Sequence, residues 1–192
     1  MTPFHPHARY ASCVGLLILL TGLSAGCGDD AVAPETTPDG ALFHTDRTSY
    51  EAVRVSGEGS YTRYGFTVVT VFHNPSVMTA YLDRCGPDSP EPMYAVYAME
   101  VEDDALWGAA YNSMWACVGH DRPIAVEPGE RRTDTLRITG PNAWDGATGE
   151  PYGTLEGRFR LRYFARLGWG DARIEAPRSM RESNEFEVRV ER

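Results

Sequence analysis

Gly157-Arg158-Phe159-Arg160-Leu161-Arg162-Tyr163-Phe164-Ala165-Arg166-Leu167 alternates from end to end. Phe159, Leu161, Tyr163 and Ala165 fall on one parity, and Arg158, Arg160, Arg162 and Arg166 on the other. Successive side chains of an extended chain point to opposite faces, so a period of two sets an apolar face against a charged one. A helix would scatter both sets around its axis. The run therefore predicts a half-buried β-strand. The C-terminus repeats the rule: Phe186, Val188 and Val190 alternate with Glu185, Glu187, Arg189 and Glu191. Strands that follow one another usually pair, and opposite charges facing across such a pair stabilise it modestly. The arginine row and the glutamate row are thus expected to form a charge ladder on a solvated face. The competing reading is an anion-binding arginine stripe.

The rest of the C-terminal three quarters reads the same way. Residues 66–72, Phe-Thr-Val-Val-Thr-Val-Phe, form a buried-strand run closed by the turn Asn74-Pro75-Ser76. A strand is expected over residues 77–84, and another near 50–55. Residues 93–102 alternate, with Tyr97, Met99 and Val101 taken as the inward face and Glu100 and Glu102 as the outward one. Pro128-Gly129 is a turn before residues 133–139, where Leu136 and Ile138 share a face. No window of ten or more shows a convincing helical period. About seven or eight short strands separated by turn residues predict an all-β fold, an antiparallel immunoglobulin-like β-sandwich over residues 44–192.

Bulk composition bounds the function. The chain has 192 residues, a net charge of −9 and 18 basic residues, every one of them arginine. An acidic balance argues against sequence-independent nucleic-acid binding, which needs a basic face. It also argues against adhesion to anionic lipid heads by charge. Hydrophobic content of 42% is enough for a packed core.

The N-terminus carries an address. Arg9 and the terminal amine precede an apolar run from Cys13 to Leu23 that is too short to span a bilayer stably. The small residues Ser24-Ala25-Gly26 follow, and then Cys27. That ending resembles the bacterial lipobox, with Ser24 where leucine is commoner. The resemblance implies a signal peptide over residues 1–26, cleavage before Cys27 and lipid on the Cys27 sulfur. The alternatives are an ordinary signal peptide that leaves Cys27 a thiol, and an uncleaved anchor helix. Residues 27–43 would then hold the lipidated cysteine and a flexible acidic linker, rich in Asp, Glu, Pro and Thr.

Three further segments carry a second resemblance: Phe72-His73-Asn74-Pro75-Ser76, Glu127-Pro128-Gly129-Glu130 and Gly157-Arg158-Phe159-Arg160-Leu161. They are similar to landmarks of bacterial immunoglobulin-like domains, including BsuPI-type proteinase-inhibitor domains and domains on envelope lipoproteins. Protease inhibition would follow by analogy of fold alone, since no inhibitory residue maps onto a position in this chain.

Candidate sites are few. Cys13 leaves with the leader, and Cys85 and Cys117 remain for a disulfide in an exported chain. A thiol metal or redox site is the alternative, but no CxxC spacing occurs. His44, His73 and His120 are scattered, and Met93, Met99 and Met114 are soft ligands without a repeated spacing. Core methionines are the better reading, and no metal or other cofactor is expected. Nucleophile elbows, HExxH and phosphate loops do not occur. A hydrolase would need His73 or His120 beside a serine or carboxylate. Two long loops, residues 140–156 with Trp144 and Tyr152 and residues 168–183 with Trp169, are candidate partner-binding surfaces. If the intervening strand runs straight, the loops leave opposite ends of the sandwich, and the second lies beside the turn after His73. The sequence thus leads to the expectation of an exported, lipid-anchored, non-catalytic envelope protein, held to a membrane through Cys27. Its sandwich would meet an unknown protein or cell-wall partner.

Overall fold

The computed structural model describes residues 41–86, 88–99, 108–111, 122–169 and 172–192. The expected signal peptide, Cys27 and residues 28–40 of the expected linker lie outside the described residues, as do Trp107, Met114, Cys117 and His120. The last linker residues, 41–43, instead belong to the fold, where Leu42 bonds to His73 and Phe43 is buried in the first strand.

Among the described residues there are eleven strands. They are β1 (Phe43–Thr45), β2 (Ser49–Ser56), β3 (Arg63–His73), β4 (Thr79–Leu82), β5 (Tyr94–Ala98), β6 (Ile124–Val126), β7 (Arg131–Gly140), β8 (Gly157–Tyr163), β9 (Ala165–Trp169), β10 (Ala172–Glu175) and β11 (Phe186–Val190). A 3-10 turn (Gly59–Tyr61) and a one-turn helix α1 (Arg178–Arg181) complete them. The described residues form an all-β sandwich, as their alternation implies.

β3 is the central element. Its β-branched and aromatic residues suit a pleated surface, and Phe66, Val68, Thr70 and Phe72 point inward. One edge pairs antiparallel with β7 from Tyr64↔Gly140 to His73↔Arg131. The other edge is shared. β2 takes its start (Val53↔Gly65) and β1 its end (Thr45↔Thr70). β2 then leaves β3 and runs parallel to β11, with Tyr50 opposite Val188. β11 pairs with β8, and β8 with β5. This hydrogen-bonded sheet therefore folds over at β2, so that β3 faces β8 and β11. Tyr50 sits in the fold, its ring 5.6 Å from Phe66 and 5.4 Å from Phe186. Further along, Phe43 of β1 stacks on Tyr163 of β8 at 4.3 Å. The second sheet, in the order β10-β9-β4-β6, adds Ala80, Leu82, Val126, Ala165 and Leu167 to the same core.

The structure corrects the strand reading in four places. Residues 157–167 are two strands. Phe159, Leu161, Tyr163, Ala165 and Leu167 are all buried, but the chain passes from the first sheet to the second at Phe164. There its carbonyl accepts from the Asp83 N–H at 2.8 Å, at the start of the segment that follows β4. One unbroken alternation serves two sheets because the inward parity survives the crossing. In β5 the inward parity is the reverse of that expected: Val96 and Ala98 join the core, while Tyr97 faces outward, pairs across from Arg160 and lies under the Arg162 guanidinium at 4.2 Å. Ala95 and Tyr97 are covered on that side too, so both parities of β5 are apolar and alternation could not choose between them. Met99 is only half-buried. Residues 168–183 are not an irregular loop but a β9–β10 hairpin followed by α1. Finally, the β2–β11 pair is parallel, whereas every other pair of named strands among the described residues is antiparallel.

Candidate functional site

β8 begins beside residues 140–156 and β9 ends at Trp169, so the aromatic loop and the β9–β10 hairpin tip lie at opposite ends of the sandwich. At the first end the loop is built rather than slack. The Asp145 carboxylate accepts from the Ala147 and Thr148 N–H groups at 2.7 and 3.2 Å, and the Asp145 N–H donates to the Glu150 carbonyl. Gly149 turns the chain with φ 72°, which costs glycine little. Trp144 is half-buried. Its indole N–H donates to the Ser60 carbonyl at 3.0 Å, and its ring lies 5.7 Å from Tyr61. Tyr61 and Tyr152 remain more than half exposed, at 52% and 58%. The structure thus groups Trp144 and Tyr152 with Tyr61, whose part was invisible because the 3-10 turn joins the loop only through tertiary contact.

Trp169 stands apart from this group, 66% exposed at the β9–β10 tip. The register Thr79↔Gly168 sets it beside the turn that follows His73.

A third surface lies on the flank. Continued pairing beyond Val53↔Gly65 would oppose Glu51 to Thr67 and Ser49 to Val69, but it stops where β2 diverges towards β11. The gap is a groove of about 700 Å3 between those residues, with Tyr50 and Phe66 also lining it and Arg189 contributing from β11. Asp46 spans the gap at the β1 end. Its carboxylate accepts from the Val69 N–H at 2.9 Å and from the Tyr50 hydroxyl at 2.7 Å.

The charged rows meet as a ladder. Arg160 lies 2.9 Å from Glu185, and Arg158 lies 3.4 Å from the same carboxylate. Its hub, however, is Glu182, which strand alternation gave no reason to choose because it precedes β11. Its side chain, 7% exposed, meets Arg162 at 2.5 Å, Arg178 at 2.7 Å and Arg160 at 3.5 Å. Burial pushes the Glu182 carboxyl upward, but the hydrogen bonds and charges of Arg178 and Arg162 outweigh it, and the group titrates below its ordinary range. Glu187 pairs instead with Arg189 on its own strand, and Arg166 with Asp83.

Of the remaining candidates, Cys85 is half-buried beyond the end of β4, and its expected partner Cys117 is outside the described residues. His73 ends β3 opposite Arg131. His44, on β1, is half-buried. Burial lowers its pKa from the ordinary 6.5, a backbone hydrogen bond at Ala41 opposes this, and Arg131 adds to the lowering. Met93 is buried and packs beneath the crossing at Phe164, whose N–H donates to its carbonyl. Among the described residues no group of three or more His, Cys, Asp or Glu is placed to hold a metal ion. Chemically, the exposed aromatic end and the flank groove offer contact surface and hydrogen-bonding groups.

No protein-family model matches this chain, and no curated protein matches it. A solved structure to which it is similar is the crystal structure of a protein from Archaeoglobus fulgidus, 14% identical, covering 69% of this chain and 91% of that one with a TM-score of 0.30.

Proposed function

We propose that the protein is exported, anchored by lipid on Cys27 to the cell envelope, and acts without catalysis, its β-sandwich binding a protein or cell-wall partner. The observation that carries this reading is Ser24-Ala25-Gly26 directly before Cys27, behind a short apolar run and ahead of an acidic stretch. The folded domain supports it by polarity. Ala41 enters beside His73, where the Leu42 carbonyl accepts from the His73 N–H at 2.7 Å. Tyr61, Trp144 and Tyr152 gather at the other end of β3, near Tyr64↔Gly140. A partner surface at that end faces away from the point of attachment, and exposed aromatic residues are effective contact anchors.

The same reading includes a Cys85–Cys117 disulfide, formed in an oxidising compartment. A bridge closing a loop of roughly thirty residues stabilises by about 3–4 kcal/mol in the chain-entropy model.

Intact-mass analysis of the membrane fraction tests the anchor. The wild-type chain is expected to begin at Cys27 and carry added lipid mass, and Cys27→Ser is expected to lose both. A wild-type mass without lipid overturns the reading. For the partner, a pull-down from envelope extracts with the wild-type chain is compared with Tyr61→Ala/Tyr152→Ala. A partner enriched by the wild type and lost in the variant supports the aromatic end, and equal recovery removes it.

A further inference from the structure

We infer that the end of the sandwich at which Ala41 enters rests on the lipid bilayer, with Trp169, Val77 and Ile174 as the residues that touch it. The inference rests on the anchoring reading above and names the surface that anchoring presents to the membrane.

The three most exposed large apolar side chains of the described residues lie at this end. Val77 is 76% exposed, Trp169 66% and Ile174 64%. The registers bring them together. Leu42 is bonded to His73 at the end of β3, the turn that follows carries Val77, and β4 leaves it with Thr79 opposite Gly168. Trp169 is the next residue and pairs with Ala172, while Ile174 pairs with Leu167 two positions along the same hairpin. Trp169, Leu167 and Ile174 share a face of this sheet. Leu167 is buried in the core, whereas Trp169, at the end of β9, and Ile174, on the edge strand β10, are exposed.

The point of chain entry selects the occupant. Thirteen residues, 28–40, separate Cys27 from Ala41. Fully extended they reach at most about 45 Å, and as a flexible coil about 20 Å. Lipid on Cys27 therefore keeps the Ala41 end within a short distance of the bilayer at all times. Such a tether makes even weak contact effectively intramolecular. Tryptophan favours the headgroup level, where its ring is sheltered and its N–H stays wet, and branched aliphatic side chains enter the boundary beside it. The chain's acidity excludes attraction by charge to anionic lipids, so the contact is apolar and takes a zwitterionic surface.

The test uses the full lipidated chain in phosphatidylcholine vesicles whose acyl chains are brominated near the headgroup. Bromine quenches tryptophan emission on contact. Wild-type emission is expected to be quenched, Trp169→Phe to lose at least half of that quenching, and Trp144→Phe, at the far end, to keep it. Val77→Ser/Ile174→Ser is expected to reduce it about twofold, with circular dichroism checking that each variant is folded. Equal quenching in Trp169→Phe and wild type, or none in a chain whose mass carries the lipid, overturns this inference and leaves the anchor standing. A bilayer-indifferent Trp169 that is instead protected by a bound protein also overturns it. A chain with no lipid on Cys27 overturns both.

Discussion

The Tyr163 hydroxyl and the Thr70 hydroxyl lie 2.6 Å apart in the interior, joining β8 of one layer to β3 of the other. The Asp134 carboxylate is 3.4 Å from the same tyrosine oxygen and is only 6% exposed as a residue. Arg132 donates to both Asp134 oxygens, at 2.9 and 2.5 Å, and to the Pro90 carbonyl at 2.7 Å. A buried carboxylate is tolerated when it is paired and hydrogen-bonded, and here the pairing also fixes how the layers align.

Tyr163→Phe removes the phenol from this network and leaves Thr70 and Asp134 with one partner fewer. A buried polar group deprived of its partner costs on the order of 1–2 kcal/mol. The melting temperature is expected to fall by about 4 °C, at roughly 2–4 °C per kcal/mol for a domain of this size. Calorimetry of wild type and variant checks it, and Thr70→Val, which removes the other hydroxyl, is expected to act less than additively with it.

Alkaline pH should expose the same interior. Burial raises the pKa of Tyr50, Tyr111 and Tyr163 above the ordinary 10, and Asp46, Glu156 and Asp134 respectively raise each further. Folded phenols thus hold their protons where unfolded ones release them. A raised folded pKa stabilises fully below the unfolded value and ceases to as pH climbs through the folded one. Stability is therefore expected to decline from about pH 10 upward. Circular dichroism against pH should show a cooperative alkaline transition, moved to higher pH in Tyr163→Phe relative to its own neutral stability.

Phe159 reports on the core. It is fully buried, its ring 6.3 Å from Phe186 and 5.9 Å from Tyr111. Truncation of a buried phenylalanine to alanine costs about 3–5 kcal/mol, in part as cavity. Phe159→Ala is expected to lower the urea midpoint with the slope unchanged. Arg158→Ala, one residue away and 61% exposed in its side chain, is expected to change stability by less than about 1 kcal/mol.

What the sequence disclosed of this fold depended on contrast between faces. Phe159, Leu161 and Tyr163 stand against arginines, so their parity was legible, and the ladder with Glu185 followed from it. Tyr94 to Ala98 offers no such contrast, because Arg162 shields Tyr97 as well as the core shields Val96. The crossing at Phe164 left no mark, since the inward parity persists through it. Of the surfaces, Trp144, Tyr152 and Trp169 could be found as aromatics in loops, whereas Tyr61, Glu182 and the Asp46–Tyr50 bond depend on segments distant in the chain or on local geometry that alternation does not encode.

Glu182 gives the sharpest electrostatic test. Its carboxylate is shared by Arg160, Arg162 and Arg178, and its pKa is depressed from the ordinary 4.5 despite the opposing effect of burial. A depressed folded pKa contributes stability that is present above the unfolded value and is lost as pH falls through the folded one. Wild-type stability should thus decline from about pH 5 downward. Glu182→Gln keeps the shape but removes the charge that Arg162 and Arg178 require, and is expected to cost about 2 kcal/mol at pH 7. Because the variant has already lost this contribution, its stability should fall less steeply between about pH 5 and pH 3. Urea unfolding at pH 7, 5, 4 and 3 measures the difference. A gap between wild type and variant that stays constant over this range would show that Glu182 acts by packing and not by charge.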